Sequence, residues 1–170
     1  PVARRQAVAE VLQRTDVPLI EDDPYGALSF TGSTWAPIAS LPGMSGRTIL
    51  LNSMSKLMSP GVRIGWMRAE GPILDTLAVA KAAISMQSSV VDQLTVARYL
   101  ETADLDGHVA RVSAVYRERR DAMARAITPV LPEGAHLTRP DGGMFLWAAL
   151  GEGYDAQVML AEAVEAGVAY

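Results

Sequence analysis

Arg47-Thr48-Ile49-Leu50-Leu51-Asn52-Ser53-Met54-Ser55-Lys56-Leu57-Met58-Ser59-Pro60-Gly61-Val62-Arg63-Ile64-Gly65-Trp66-Met67 is the stretch on which the fold class turns. Residues 47–52 and 62–67 are short runs rich in apolar and β-branched side chains, which predict two strands, and the serines, Pro60 and Gly61 between them predict a loop. Upstream, Val17-Pro18-Leu19-Ile20 reads as a third, buried strand that stops abruptly at Glu21-Asp22-Asp23-Pro24-Tyr25-Gly26. Residues 27–46 read as loop by composition. Helical spacing surrounds these strands. Residues 4–14 place Ala7, Val8, Val11 and Leu12 on one face. Pro72 opens a helix continued by Ile73, Leu74, Leu77, Ala78 and Lys81. Further helices are predicted over Val90 to Leu100 and over His108 to Ile127, the longest, with Val109, Val112, Val115, Tyr116, Met123 and Ile127 inward. Strands that end in polar loops between helices predict an α/β layer structure. After Pro129 and Pro132, residues 136–150 read as two strand pieces around Asp141-Gly142-Gly143, and a last helix is predicted over residues 155–166. The text changes from α/β to a small α+β unit inside or just after the long helix.

The chain has 170 residues, 15 Lys+Arg against 19 Asp+Glu, and no cysteine. With 49% hydrophobic and 20% charged residues it is neither disordered nor collagen-like. A net charge of −4 argues against a surface that grips nucleic acid or anionic lipid as a whole, though not against a local anion site. Arg117-Glu118-Arg119-Arg120-Asp121 carries mixed signs and reads as a solvated helix face. Without cysteine there are no disulfides, thiolate metal sites or cysteine nucleophiles. His108 and His136 lack metal-ligand company, so no metal is expected. Residues 27–46, within the longest charge-free stretch, are broken by Pro37, Pro42 and three glycines and do not read as a membrane span. Pro1-Val2-Ala3-Arg4-Arg5 has no apolar leader core, and a cytoplasmic protein is expected; the missing Met suggests that residue 1 is not the natural start.

Three groups could carry chemistry. Asp22 and Tyr25 lie on the turn leaving a strand, at the carboxyl end of the sheet where open α/β folds bind ligands. A carboxylate there can hold a proton on a ring nitrogen and a phenol can bond a ring oxygen; the same residues also read as an ordinary Asp-Pro turn with a packed tyrosine. Lys56 stands among Leu50, Leu51, Met54, Leu57 and Met58. Apolar surroundings disfavour its charged form and free its amine as a nucleophile, while a stem packed under a solvated head is the plainer alternative. Ser53, Ser55 and Arg63 offer two hydroxyls and a guanidinium fork for a phosphate dianion, without a Walker loop; serine turn chemistry and a surface arginine would look alike. Jointly these groups match what pyridoxal 5′-phosphate requires: an acid for the pyridine nitrogen, a phenol for the ring hydroxyl, a lysine for the aldehyde and a phosphate cup.

The blocks Ile20-Glu21-Asp22-Asp23-Pro24-Tyr25-Gly26, Asn52-Ser53-Met54-Ser55-Lys56 and Ser59-Pro60-Gly61-Val62-Arg63-Ile64-Gly65-Trp66 resemble the class I/II (fold type I) aminotransferases. Arg139-Pro140-Asp141-Gly142-Gly143-Met144-Phe145-Leu146-Trp147 is similar to their entry into the small domain. The resemblance runs through essentially the whole chain. It implies residues 1–125 as the C-terminal half of the cofactor-binding large domain and residues 126–170 as the opening of the small one. It implies amino-group transfer between an amino acid and a 2-oxo acid: Lys56 forms the Schiff base with pyridoxal 5′-phosphate and shuttles the substrate's α-proton, Asp22 pairs with the pyridinium nitrogen, Tyr25 bonds the 3-oxygen, and Ser53, Ser55 and Arg63 bind the phosphate. It further implies a homodimer with shared active sites. The family's glycine-rich phosphate loop, stacking aromatic and ring-oxygen asparagine would precede residue 1, and its substrate-carboxylate arginine would follow residue 170. The 170 residues alone are therefore expected to be a fragment without transaminase activity. The same residues also resemble the aminotransferase-like sensor domain of MocR/GntR-type regulators, in which nucleic acid is bound by a separate N-terminal winged helix. Arg63-Ile64-Gly65-Trp66-Met67-Arg68-Ala69 and Val91-Asp92-Gln93-Leu94 would suit that group.

Overall fold

The pleat of one short strand sets the orientation of the site. The computed structural model describes residues 2–170. In β1 (Leu19–Asp22) burial alternates, so Leu19 and Glu21 turn inward while Ile20 and Asp22 face outward. β1 pairs in parallel with β2 (Thr48–Ser53), with Asp22 opposite Leu51. β2 pairs antiparallel with β3 (Gly65–Arg68), with Ser53 opposite Gly65. β2 is thus the centre of a three-stranded sheet. Between β2 and β3 the chain makes the single turn α2 (Met54–Leu57) and a 3₁₀ turn over Pro60–Val62.

Helices α1 (Val2–Gln13), α3 (Pro72–Ile84), α4 (Val90–Thr102) and α5 (Leu105–Ile127) supply the rest of the α/β part. Local chemistry fixes their starts. Gly71, at φ 65°, precedes Pro72 at the head of α3. Ser89 caps α4 through the Asp92 amide, and Asp104 caps α5 through the Gly107 amide. The hairpin β4 (His136–Leu137) with β5 (Ala148–Ala149) and helix α6 (Ala156–Glu165), capped by Asp155, complete the chain.

The buried apolar side chains are Ala9, Leu28, Met44, Leu50, Met54, Ala69 and Val96; three of them lie in or beside β2. Several expected inward faces are not covered. On α1, Val8 and Val11 are exposed and Ala9 is the buried residue. Ile20, expected in a buried strand, is 64% exposed because the two-residue period puts it on the open side of the sheet. On α5, Val115 and Met123 are exposed, since the described chain meets that long helix over only part of its length. The charged stretch on α5 also departs from a uniformly solvated face. Arg117, Glu118 and Arg119 are exposed, but Arg120 and Asp121 are half-buried and bonded to each other, Nε to Oδ1, at 2.7 Å. No helix among the described residues is long and apolar enough to cross a membrane.

Candidate active site

Sheet topology brings all six candidate residues to one edge. The carboxyl ends of β1 and β2 lie side by side because the strands are parallel, and β3 begins at that same edge because it runs back. Asp22 is the last residue of β1, Ser53 the last of β2, Ser55 and Lys56 lie in α2, and Arg63 precedes β3. Tyr25 sits on the turn after β1. The Lys56 Nζ stands 5.7 Å from the centre of the Tyr25 ring.

Short hydrogen bonds hold this edge. The Asp23 amide donates to the Leu51 carbonyl at 3.0 Å, carrying the β1–β2 ladder one residue past the strand. The Asn52 side chain donates to the Asp23 carbonyl at 2.8 Å and accepts from the Ser53 amide at 2.6 Å, tying the two strand ends together. The Ser53 hydroxyl accepts from the Ser55 amide at 3.1 Å and so caps α2. The Met54 amide donates to the Ile64 carbonyl at 2.9 Å, and Met54 is buried beneath the turn that carries Lys56. Ser59 caps the next turn through the Gly61 amide. Arg63 follows in the left-handed region at φ 50° and ψ 33°, the one non-glycine residue with positive φ among those described. Such backbone strain in a residue with a Cβ is a mark of functional sites.

Two carboxylates beside the candidates have distinct surroundings. Glu21 is turned inward with its side chain 9% exposed; it pairs with Arg5 at 2.9 Å and accepts from the Ile38 and Ala39 amides at 2.8 and 3.0 Å. Asp23 is pushed above the usual carboxylate range by burial, against the pull of the Arg5 charge and a bond from the Gly26 amide. The edge is open to solvent at Asp22 and Arg63, which form no hydrogen bond or ion pair with the described residues. A cleft of about 310 Å³ lies beside Tyr25, lined in part by Asp23, Leu28, Trp35 and Gly142.

Sequence reasoning passed over Asn52, Glu21 and Phe145 as parts of the site. Phe145 meets Tyr25 edge to face, with ring centres 5.7 Å apart. A carboxylate inside an apolar strand was a usable signal for Glu21. Nothing local marked Phe145, which is 120 positions beyond Tyr25 in the chain.

An open sheet edge with a lysine, a carboxylate, a phenol and a strained arginine converging on it has the fold type I architecture, and comparison with known proteins agrees. The family model for aminotransferase class I and II matches residues 2–168, and the chain belongs to that family. It is 39% identical over 167 residues to aromatic-amino-acid aminotransferase 1 of Thermococcus litoralis, covering 98% of this chain and 40% of that one. The structure of Pyrococcus horikoshii kynurenine aminotransferase in complex with PMP superimposes with a TM-score of 0.90 at 38% identity, covering 99% of this chain and 41% of that chain. The transcriptional regulator NorG of Staphylococcus aureus is 31% identical over 135 residues, 79% of this chain and 30% of that protein. The chain thus spans well under half the length of these relatives.

Proposed function

We propose that the protein transfers an amino group between an amino acid and a 2-oxo acid, using pyridoxal 5′-phosphate. The observation that carries this reading is the convergence at one sheet edge of Lys56, Asp22, Tyr25, Ser53, Ser55 and Arg63, with the Lys56 Nζ 5.7 Å from the Tyr25 ring centre. The donor set fits that cofactor: an outward carboxylate, a phenol, an amine, two hydroxyls and a guanidinium, each of which has a counterpart on a phosphorylated pyridine aldehyde. When bound, pyridoxal 5′-phosphate supplies a carbonyl that condenses with amines and a ring that stabilises the electron pair left by a departing α-proton.

The chain's own residues take the other roles. The Lys56 amine would anchor the cofactor as its nucleophile, and its Nζ would hold and return the α-proton. The Asp22 carboxylate keeps a proton on the pyridine nitrogen, and the Tyr25 hydroxyl donates to the ring oxygen. Ser53 and Ser55 bond phosphate oxygens through their hydroxyls, and Arg63 adds a bidentate fork and the positive charge. The expected working form is a cytoplasmic homodimer, with residues 1–125 in the cofactor-binding domain and 126–170 opening the small one. The family resemblance supports both, as does the likeness to transaminase structures.

Reduction of the full-length protein with borohydride after adding pyridoxal 5′-phosphate, followed by peptide mapping, tests the site. Modification at Lys56 is expected; modification of a different lysine, or of none, sinks the assignment. The match to NorG favours a second reading, in which the same residues hold the cofactor in an effector-sensing domain of a regulator with a separate DNA-binding domain. Mixing the full-length protein with amino acids and then 2-oxo acids separates the two. An enzyme completes both half-reactions repeatedly, whereas a sensor does not turn over.

A further inference from the structure

The geometry points to Arg120 of α5 as a positioning residue for Tyr25, acting through a clasp on the two backbone segments that carry the Tyr25–Phe145 contact. The proposal rests on Tyr25 being the ring-oxygen donor, as given above.

The chain of contacts runs from α5 to the turn that carries Tyr25. The Arg120 guanidinium lies over the Phe30 ring, 4.8 Å from its centre, and its Nη1 donates to the Pro140 carbonyl. Its Nε is held by Asp121 at 2.7 Å, which fixes the plane of the fork. One side chain therefore grips residue 30 from one segment and residue 140 from another. Those segments are bonded to each other directly beyond the grip. The Phe30 amide donates to the Asp141 carbonyl at 2.7 Å and the Gly143 amide to the Leu28 carbonyl at 2.8 Å, with Ser29 and Gly142 paired between them. A Cβ at Gly142 would collide with the Leu28 carbonyl oxygen, so the two backbones approach as closely as glycine allows.

This strap ends at both rings. Upstream, the Leu28 amide donates to the Tyr25 carbonyl at 2.8 Å, and Leu28 is buried. Downstream, two residues past Gly143, Phe145 meets the Tyr25 ring at a near-perpendicular angle of 86°. Tyr25 is therefore held on its backbone by one strap segment and on its ring by the other. Its hydroxyl has no hydrogen-bond partner among the described residues, so these contacts, with the nearby Lys56, help to set where it points. Without Arg120 the two segments keep only their direct backbone bonds, and the looser strap lets the Tyr25 ring tilt away from the lysine. Arg120 touches neither Tyr25 nor Lys56; its influence is entirely through the strap.

The test uses full-length protein loaded with pyridoxal 5′-phosphate and follows the pH titration of its absorption band. Tyr25→Phe is expected to move the midpoint. Arg120→Gln is expected to move it in the same direction by at least half as much, and the double variant no further than Tyr25→Phe alone. Arg119→Gln, on the exposed face of the same helix, leaves it in place. Where Arg120→Gln does not fold, Phe30→Leu, which removes the ring under the guanidinium and keeps the Pro140 bond, carries the same comparison. A lowered melting temperature with an unmoved midpoint makes Arg120 merely structural and overturns the proposal, as do shifts that add in the double variant. If Tyr25→Phe itself leaves the midpoint unmoved, the reading of Tyr25 fails first and this proposal falls with it.

Discussion

Arg63 holds a left-handed backbone between a 3₁₀ turn and β3, which costs a residue with a Cβ about 1–2 kcal/mol. Glycine takes the same conformation freely but gives the unfolded chain about 0.4–1 kcal/mol of extra entropy. The two effects nearly offset each other, so Arg63→Gly should leave the stability of the cofactor-free protein within about 1 kcal/mol of the parent. The variant loses a charge-assisted bond to phosphate, expected to weaken pyridoxal 5′-phosphate binding about tenfold to a hundredfold. Arg68→Ala removes only an exposed pair with Glu70 and should change neither. Equal loss of cofactor affinity in the two variants would misplace the phosphate cup. At Asp23 the sign follows from burial. Its pKa is raised, so the stability it contributes is complete below its ordinary value of 3.8 and is lost as pH rises through the raised value. Asp23→Asn should therefore gain on the parent as pH rises from 3.8 toward neutrality. Melting curves across that range check this, and a gap that narrows with rising pH would contradict it.

At the scale of elements, Glu21 joins three pieces: β1, which carries it, α1 through Arg5, and the 3₁₀ turn over Ile38–Ser40 through two amides. Glu21→Gln keeps the shape but removes the charge and one acceptor oxygen, leaving an amide donor unpaired in a poorly solvated place. A cost of about 1–3 kcal/mol is expected in urea unfolding. Arg5→Gln should cost less, because Glu21 keeps both amide donors. Equal losses would mean that the ion pair, not the amides, holds the turn. The elements themselves were largely legible. Periodicity located the five longer helices to within a few residues, α3 from the Pro72 that opens it, while the single turn α2 lies in a stretch that reads as loop. The strands were found from apolar runs, but β1, β2 and β3 begin one to three residues later than read, since pairing with a neighbour, which no local pattern records, sets their ends. The six candidate residues stood out because each belongs to a short motif at or just beyond the end of a strand. The strap was not, because the pairing of Ser29 with Gly142 joins residues 113 positions apart, and a residue like Arg120 looks the same in text whether it is solvated or clasped.

For the whole molecule, the decisive quantity is surface. A compact monomer of this 18.2 kDa mass exposes about 8,100 Å². The 170 residues expose 11,983 Å². The excess is not spread evenly. Ile84 is 86% exposed and Met86 91%, with Val79, Val90, Val91 and Leu94 also bare along the end of α3 and the start of α4. Six large exposed apolar side chains within sixteen residues are a concentration of bare apolar surface that isolated soluble domains avoid. The polypeptide of residues 1–170 in water should therefore bind a hydrophobic dye strongly and sediment as species larger than a dimer at micromolar concentration, while the proposed full-length homodimer does neither. Val91→Asp with Leu94→Lys, placing two charges on the first turns of α4, should reduce both dye binding and association of the 170-residue chain. The variants act on the patch and leave the sheet edge untouched, so circular dichroism of the helices should be unchanged. A 170-residue chain that sediments as a monomer without binding dye would show that it closes over this face on its own, and that its contacts in solution differ from those described.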